Sequence, residues 1–280
     1  AFPMRSLGIH SEVLGKRIDP VLFPLLGTVE GSDVLHPTYE ISKIRSRPVA
    51  GSTFPSSCTV EGVMKFDGDE SPHCVYNEAV AVRLAQTVHA PTADGVLGVA
   101  TTGPVFISLA MAAPPERLPN VHWRMRHKVA AKYPEEIAAL VAFDIFVGNN
   151  DRDGNIKAAV ASHGLYLFRA FDHSHALLAA RRADPKQSLA ALKSGELIVS
   201  RHPFYGLADF KAVRTWGERI AATPDTLIAE CCVLRRDFRS VPLAWQQQLA
   251  RALNARKKHL PTMLRDHQLV ITTEREKDEG

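Results

Sequence analysis

The chain reads as an α+β protein: a small β-rich lobe carrying one helix, followed by a mainly helical lobe. Three observations lead there. Short β-like runs fill residues 39–109, separated by Gly, Pro and Ser and interrupted once by a helical stretch. Beyond residue 134 the apolar residues recur at helical spacing. Between the two, residues 143–172 (FDIFVGNNDRDGNIKAAVASHGLYLFRAFD) close a helix and pass through an acidic loop and a short hairpin.

The bulk numbers set bounds. The 280 residues suffice for one large domain or two lobes. Hydrophobic residues make up 45% and charged residues 23%, ordinary for a globular chain. The formal charge of +4 suits an anionic ligand and is too weak to argue for nucleic acid alone. Cys58, Cys74, Cys231 and Cys232 form no C-x-x-C pair, so neither a disulfide framework nor a zinc site is expected. A reducing, cytoplasmic setting follows, and the first residues lack the charged-then-apolar order of a signal peptide. The longest apolar stretch, 137–147, contains Asp144 and is too short to span a bilayer. No internal repeat is visible.

In order, residues 1–37 carry no period and are broken by Pro3, Pro20 and Pro24, so they read as an N-terminal extension. Residues 39–45 form a weakly patterned strand, and the Gly-, Ser- and Pro-rich stretch 46–57 a loop. Strands at 58–60 and 63–66 flank Glu61-Gly62, a two-residue hairpin candidate. Ser71-Pro72 offers a hydroxyl cap and a first-turn proline for a helix running to 88. Within it Glu78 has Cys74, Ala81, Val82 and Ala85 as helical neighbours, so its carboxylate should point inward and need a partner. Lys65 is the nearest candidate.

Further strands are expected at 96–100 and 105–109. Residues 110–115 (AMAAPP) then break the sheet pattern and mark a hinge between lobes. Pro134, Glu135 and Glu136 suit a helix start, and Gly148-Asn149-Asn150 its end. Asp144 lies on that helix's apolar face, where bonding loop groups is its expected role. Runs 156–161 and 165–171 read as a hairpin that Asp172 leaves. Trp245, Leu249, Ala252, Leu253, Arg256 and Leu260 trace a late helical stripe that Pro261 kinks or ends, and 274–280 is a charged tail.

ATP-dependent phosphoryl transfer needs a flexible loop over the phosphates, a lysine held by a glutamate, an aspartate to orient the acceptor hydroxyl, and Asn and Asp ligands for magnesium. The chain offers these in order: Gly51, Ser52 and Thr53, then Lys65, Glu78, Asp151, Asn155 and Asp172. Each has a plainer reading. Asp151-Arg152-Asp153-Gly154 is also a good surface turn, Lys65 an exposed strand lysine, Glu78 a half-exposed helix residue, and Asp172 a strand end. Asn149, Asp151, Asp153, Gly154 and Ile156 match part of a calcium loop, but its twelfth position is Val160 instead of Glu. His173 and His175 beside Asp172 suggest zinc without a full ligand set. Residues 122–128 (HWRMRHK) are a solvated basic face, or a surface for an acidic or nucleic-acid partner.

GNNDRDGN, followed by a hairpin and FDHSHAL, resembles the G-N-x-D-R-H-x-x-N … D-H pattern of HipA-like kinases, distant relatives of the phosphatidylinositol kinases within the protein-kinase-like fold. VMKF with VYNEAVAVRLAQTVHAP is similar to that family's strand lysine and following helix, and the late W-x-x-x-L-x-x-x-L-x-x-R run to its closing helix. The resemblance covers roughly residues 38–265.

It implies a bilobal fold: N-lobe 38–110, C-lobe 111–273, tail 274–280. It also implies ATP and Mg²⁺ as cofactors. Lys65 would meet the phosphates with Glu78 as its partner. Asp151 would be the catalytic aspartate, Asn155 and Asp172 would hold magnesium, and Leu109 to Met111 the adenine. Two positions depart from the pattern. Asp153 replaces the usual His and could serve as a substitute metal ligand, and Asn155 follows Asp151 by four residues instead of five. The acceptor expected is a protein Ser or Thr. The alternatives are a silent nucleotide-binding pseudokinase acting through a protein partner, and a metal-dependent hydrolase.

Overall fold

The computed structural model describes residues 38–39, 41–48, 56–113, 116–160, 166–181 and 184–272. The N-terminal extension, the Gly51-Ser52-Thr53 loop, the hairpin turn at 161–165 and the charged tail lie outside the described residues. All that is described falls in one compact unit, Leu35–Gly280.

The first part is antiparallel sheet. β1 (Thr38–Tyr39), β2 (Ile41–Pro48), β3 (Ser56–Val60) and β4 (Gly62–Lys65) precede helix α1 (Cys74–Val88). β5 (Gly95–Ala100), β6 (Gly103–Leu109), β7 (Met111–Ala113) and β8 (Glu116–Arg117) follow. The strands group as β2-β3, β4-β6-β5 and β1-β7-β8.

Three expectations change here. Glu61-Gly62 does not turn a hairpin. β3 pairs with β2 and β4 with β6, and the Glu61 carbonyl accepts the Ala110 amide, so the chain crosses at Glu61 from one sheet to the next. Residues 111–113 do not break the sheet pattern either, because β7 pairs with both β1 and β8. Ser71 and Pro72 do not start α1. Ser71 bridges Gly68, the helix opens at Cys74, and Asp67 Oδ1 accepts the Val75 amide at 2.9 Å, supplying the cap from seven residues before the helix begins.

The second part is helical. A 3₁₀ turn (Trp123–Met125) leads into α2 (Arg126–Lys132) and α3 (Pro134–Val147). The hairpin β9 (Ile156–Ala158) and β10 (Phe168–Ala170) comes next, then a 3₁₀ turn (Leu177–Ala179) and α4 (Pro185–Ser194). α5 (Phe210–Ala222), α6 (Asp225–Cys232), α7 (Leu243–Asp266) and α8 (Gln268–Thr272) complete it. α3 has no polar stripe: every residue from Ile137 to Val147 is buried, Asp144 included, because α5 and α7 pack along it within the main apolar core. One apolar core runs from α1 and Phe106 through α3 to α7. Pro261 sits inside α7, near its C-terminal end, where the ring removes a single ladder bond and the helix continues.

Candidate active site

Lys65 ends β4 directly opposite Phe106 of β6, whose ring is buried against the core. Cross-strand partners share a face, so Lys65 is turned toward α1. Glu78 lies on the buried side of α1 and is 2% exposed, as its apolar neighbours imply. Lys65 Nζ donates to Glu78 Oε1 at 2.5 Å and lies 3.0 Å from Asp172 Oδ1. The lysine thus joins a strand, a helix and the segment after β10. Burial pulls the Lys65 ammonium down, but Glu78 and Asp172 together hold its pKa above the ordinary lysine value.

Asp172 occupies the left-handed region, φ 61°, which costs energy for a residue with a Cβ. Its Oδ1 accepts the Ser174 hydroxyl at 2.7 Å and the Ser174 amide at 3.3 Å. This local Asx turn helps hold the strained backbone. Burial raises the Asp172 pKa, but Lys65 and Ser174 outweigh it and keep the carboxyl well below its usual range, so it is ionised at neutral pH.

The loop before β9 is tied to the same place. Gly148 ends α3 at φ 72°, and a Cβ there would come within 3.0 Å of Ala180 Cβ. Asn149 Oδ1 accepts the Asp151 amide at 3.1 Å, and Asn155 Nδ2 donates to the Asp151 carbonyl at 2.8 Å. The latter bond leaves Asn155 Oδ1 as the atom suited to a cation. Asn155 O accepts the Phe171 amide at 3.0 Å, which joins the loop to the residue before Asp172. His175 Nε2 is 3.8 Å from Asp151 Oδ2. Asp153 is 77% exposed, and its Oδ1 accepts from Arg126 Nη2 at 2.5 Å.

Beneath the loop, Arg152 is buried. Its Nε and Nη2 donate to Asp144 at 2.7 and 2.9 Å, and its Nη1 to the carbonyls of Asn155 (3.2 Å) and Phe171 (2.5 Å). His202 completes the cluster, with Nε2 3.1 Å from Asp144 Oδ2. The Phe204 amide donates to His202 Nδ1, so the ring proton sits on Nε2 and faces the carboxylate. Asp144 therefore bonds loop side chains, Asn149 among them at 3.2 Å, and reaches no open cleft.

Among solved structures, the Helicobacter pylori proinflammatory kinase CtkA matches with a TM-score of 0.51 at 14% identity, over 80% of this chain and 96% of that one. The chain has the fold of that kinase. The HipA structure from the Shewanella oneidensis MR-1 complex of HipA, HipB and operator DNA also matches, with a TM-score of 0.47 at 15% identity over 79% of this chain. The chain spans 62% of that HipA chain. No protein-family model and no curated protein sequence matches.

On this kinase fold, Lys65, Glu78 and Asp172 converge through side chains, while Asp151 and Asn155 join them through the loop backbone. Leu109 is half-buried in β6, with its amide bonded to Asp94 O. Met111 takes part through its backbone in β7, and its side chain lies outside what is described, as do Gly51, Ser52 and Thr53.

Sequence reading passed over three contributors. Asn77, fully buried, donates to Ser174 O at 3.0 Å and accepts the Leu178 amide at 3.3 Å, pinning the segment after Asp172 to α1. Arg152 is the hub described above. Val63 stands two residues before Lys65, on the same strand face, and is 62% exposed, so it offers apolar surface beside the cation. An amide next to Glu78, an arginine between two aspartates and a valine at i−2 were the available signals.

Proposed function

We propose that the chain is an ATP- and Mg²⁺-dependent phosphotransferase acting on a hydroxyl, with a protein Ser or Thr as acceptor. The observation that carries this reading is the single ammonium of Lys65 lying between Glu78 and Asp172, at 2.5 and 3.0 Å. A cation anchored by one buried carboxylate and touching a second, ionised one suits a site where a polyanion and a divalent ion meet.

The donor chemistry fits magnesium. Asp172 and Asn155 provide hard oxygens. Among the described residues no group of three or more His, Cys, Asp or Glu is arranged to hold a metal. A nucleotide-borne magnesium needs only one or two protein oxygens, since waters and phosphates complete its shell. Asp153, engaged by Arg126, is left out of our metal set. When bound, Mg-ATP would supply the phosphoryl group and the charge that shields it.

The chain's own groups do the rest. Lys65 would meet the phosphates, held in position by Glu78. Asp151 orients the acceptor hydroxyl and takes its proton. Val63, Leu109 and Met111 would border the base, and the role of meeting the phosphates would fall to Gly51, Ser52 and Thr53, which lie outside the described residues. A division at 110/111 into an N-lobe and a C-lobe belongs to this reading.

A second reading, a silent nucleotide-binding module acting through a partner, draws on Asn155 standing one residue closer to Asp151 than the family pattern has it. ATP turnover by wild type, Asp151→Ala and Asp172→Ala separates the two. Turnover lost in both variants supports the kinase, and equal turnover in all three overturns it. A thermal shift with Mg-ATP and no turnover in the wild type favours the silent module.

A further inference from the structure

Residues 122–128 carry His122, Arg124, Arg126, His127 and Lys128 and no carboxylate. They form the 3₁₀ turn and the start of α2, and their backbone is fixed beside the loop that holds Asp151 and Asn155. The Val121 amide donates to Ile156 O at 2.8 Å, Asn120 forms a β-bridge with Lys157, and Arg126 pairs with Asp153. Arg126 is the member of the run with a carboxylate partner among the described residues. His122, Trp123, Arg124, His127 and Lys128 are exposed. Trp123 is 56% exposed, with the Arg124 guanidinium 5.1 Å from its ring centroid and the His122 ring at 5.6 Å. The indole lies open to water between the Arg124 guanidinium and the His122 imidazole, an apolar face set beside a positive charge.

We infer that this surface docks an acidic segment of the acceptor polypeptide and delivers its hydroxyl to the adjoining loop. The word acceptor rests on the kinase reading; the docking itself does not. Charge complementarity sets the ligand class. Arg124 and Lys128 meet Asp or Glu side chains, and Trp123 takes the aliphatic part of the same segment. Nucleic acid fits less well, because Arg124 and Lys128, which have no carboxylate partner among the described residues, would release only about two counterions, too few for useful affinity.

The test is fluorescence anisotropy with a short fluorescein-labelled Glu/Asp peptide bearing one serine, on the full chain. Wild type should bind, more weakly as salt rises. Arg124→Glu with Lys128→Glu should weaken binding about tenfold or more, Arg124→Gln with Lys128→Gln by less, and Trp123→Ala measurably. Lys65→Met should leave peptide binding unchanged while removing the Mg-ATP thermal shift. In a turnover assay the double reversal should raise KM for the peptide and leave kcat unchanged. Wild type that binds the peptide but no nucleotide upholds the docking surface and sinks the kinase reading. Equal binding by the reversed variant, with unaltered melting, overturns the proposal. So does loss of peptide binding in Lys65→Met, or a single-stranded RNA of matched charge that binds more tightly and loses affinity on the same reversal.

Discussion

Arg152 and Asp144 form a two-pronged ion pair, 2.7 and 2.9 Å, with both side chains closed to solvent. Neither belongs to the cation-and-carboxylate cluster at Lys65, yet the pair fixes the loop that carries Asp151 and Asn155. Asp144 anchors it from α3, and Arg152 passes the constraint on to the carbonyls of Asn155 and Phe171. Removing one partner strands a buried charge. Asp144→Ala should therefore destabilise the fold by about 3–5 kcal/mol, seen as a lower denaturant midpoint. Asp144→Asn keeps one acceptor and should cost less.

The same cluster makes stability fall with acid. Burial lowers the His202 pKa below its ordinary 6.5, so the folded state holds a neutral ring. Its contribution is complete above the unfolded pKa and declines as pH drops below about 6.5 toward the lower folded value. Burial raises the Asp144 pKa, but Arg152 and His202 bring it well below the usual carboxylate range. Its contribution is complete above the unfolded value and is lost as pH falls through the folded one. Both act in one direction. Denaturation measured between pH 7 and 5 should show a decline that His202→Gln flattens, and an unchanged slope in that variant would refute the assignment.

Glu78→Gln tests the lysine clamp directly. The amide retains an oxygen for the His173 amide, which Glu78 Oε1 now accepts at 3.0 Å, so the fold should survive. Lys65 loses its charged partner and is left to Asp172. A misplaced phosphate ligand of this kind should reduce ATP turnover about 100-fold, with the melting temperature little changed.

The fold and the Lys65–Glu78–Asp172 set were legible because each polar group breaks a pattern. A carboxylate on an apolar helix stripe and an aspartate leaving a strand need partners, and few were on offer. Arg152 was not legible, because an arginine in an acidic turn reads as solvated until a buried helix supplies Asp144. Pairing of β4 with β6 instead of β3 was likewise hidden, since Glu61-Gly62 is good hairpin chemistry and the competing long-range ladder leaves no local mark. α3 showed a stripe in sequence and burial on every side from Ile137 to Val147 in the fold, because periodicity reports one face and the surrounding helices decide the other.

Arg256 gives the sharpest test of how far the scaffold reaches into the site. It projects from α7 into the core and donates to the carbonyls of Ile145, Phe146 and Glu196 at 2.8–3.0 Å. Ile145 and Phe146 belong to the last turn of α3, whose carbonyls have no helical partners, and a cation there also opposes the helix dipole. Burial lowers the guanidinium pKa to about 10, so the group stays charged at neutral pH. Arg256→Met fills a similar space but leaves those carbonyls buried and unbonded, at about 1–3 kcal/mol each. The variant should melt well below wild type. Gly148 and the Asp151 loop follow immediately after that turn, so turnover by the fraction still folded should fall too. Arg256→Lys restores the charge with fewer donors and should recover part of both. Full turnover by folded Arg256→Met would mean that the loop is held by Arg152 and Asp144 alone.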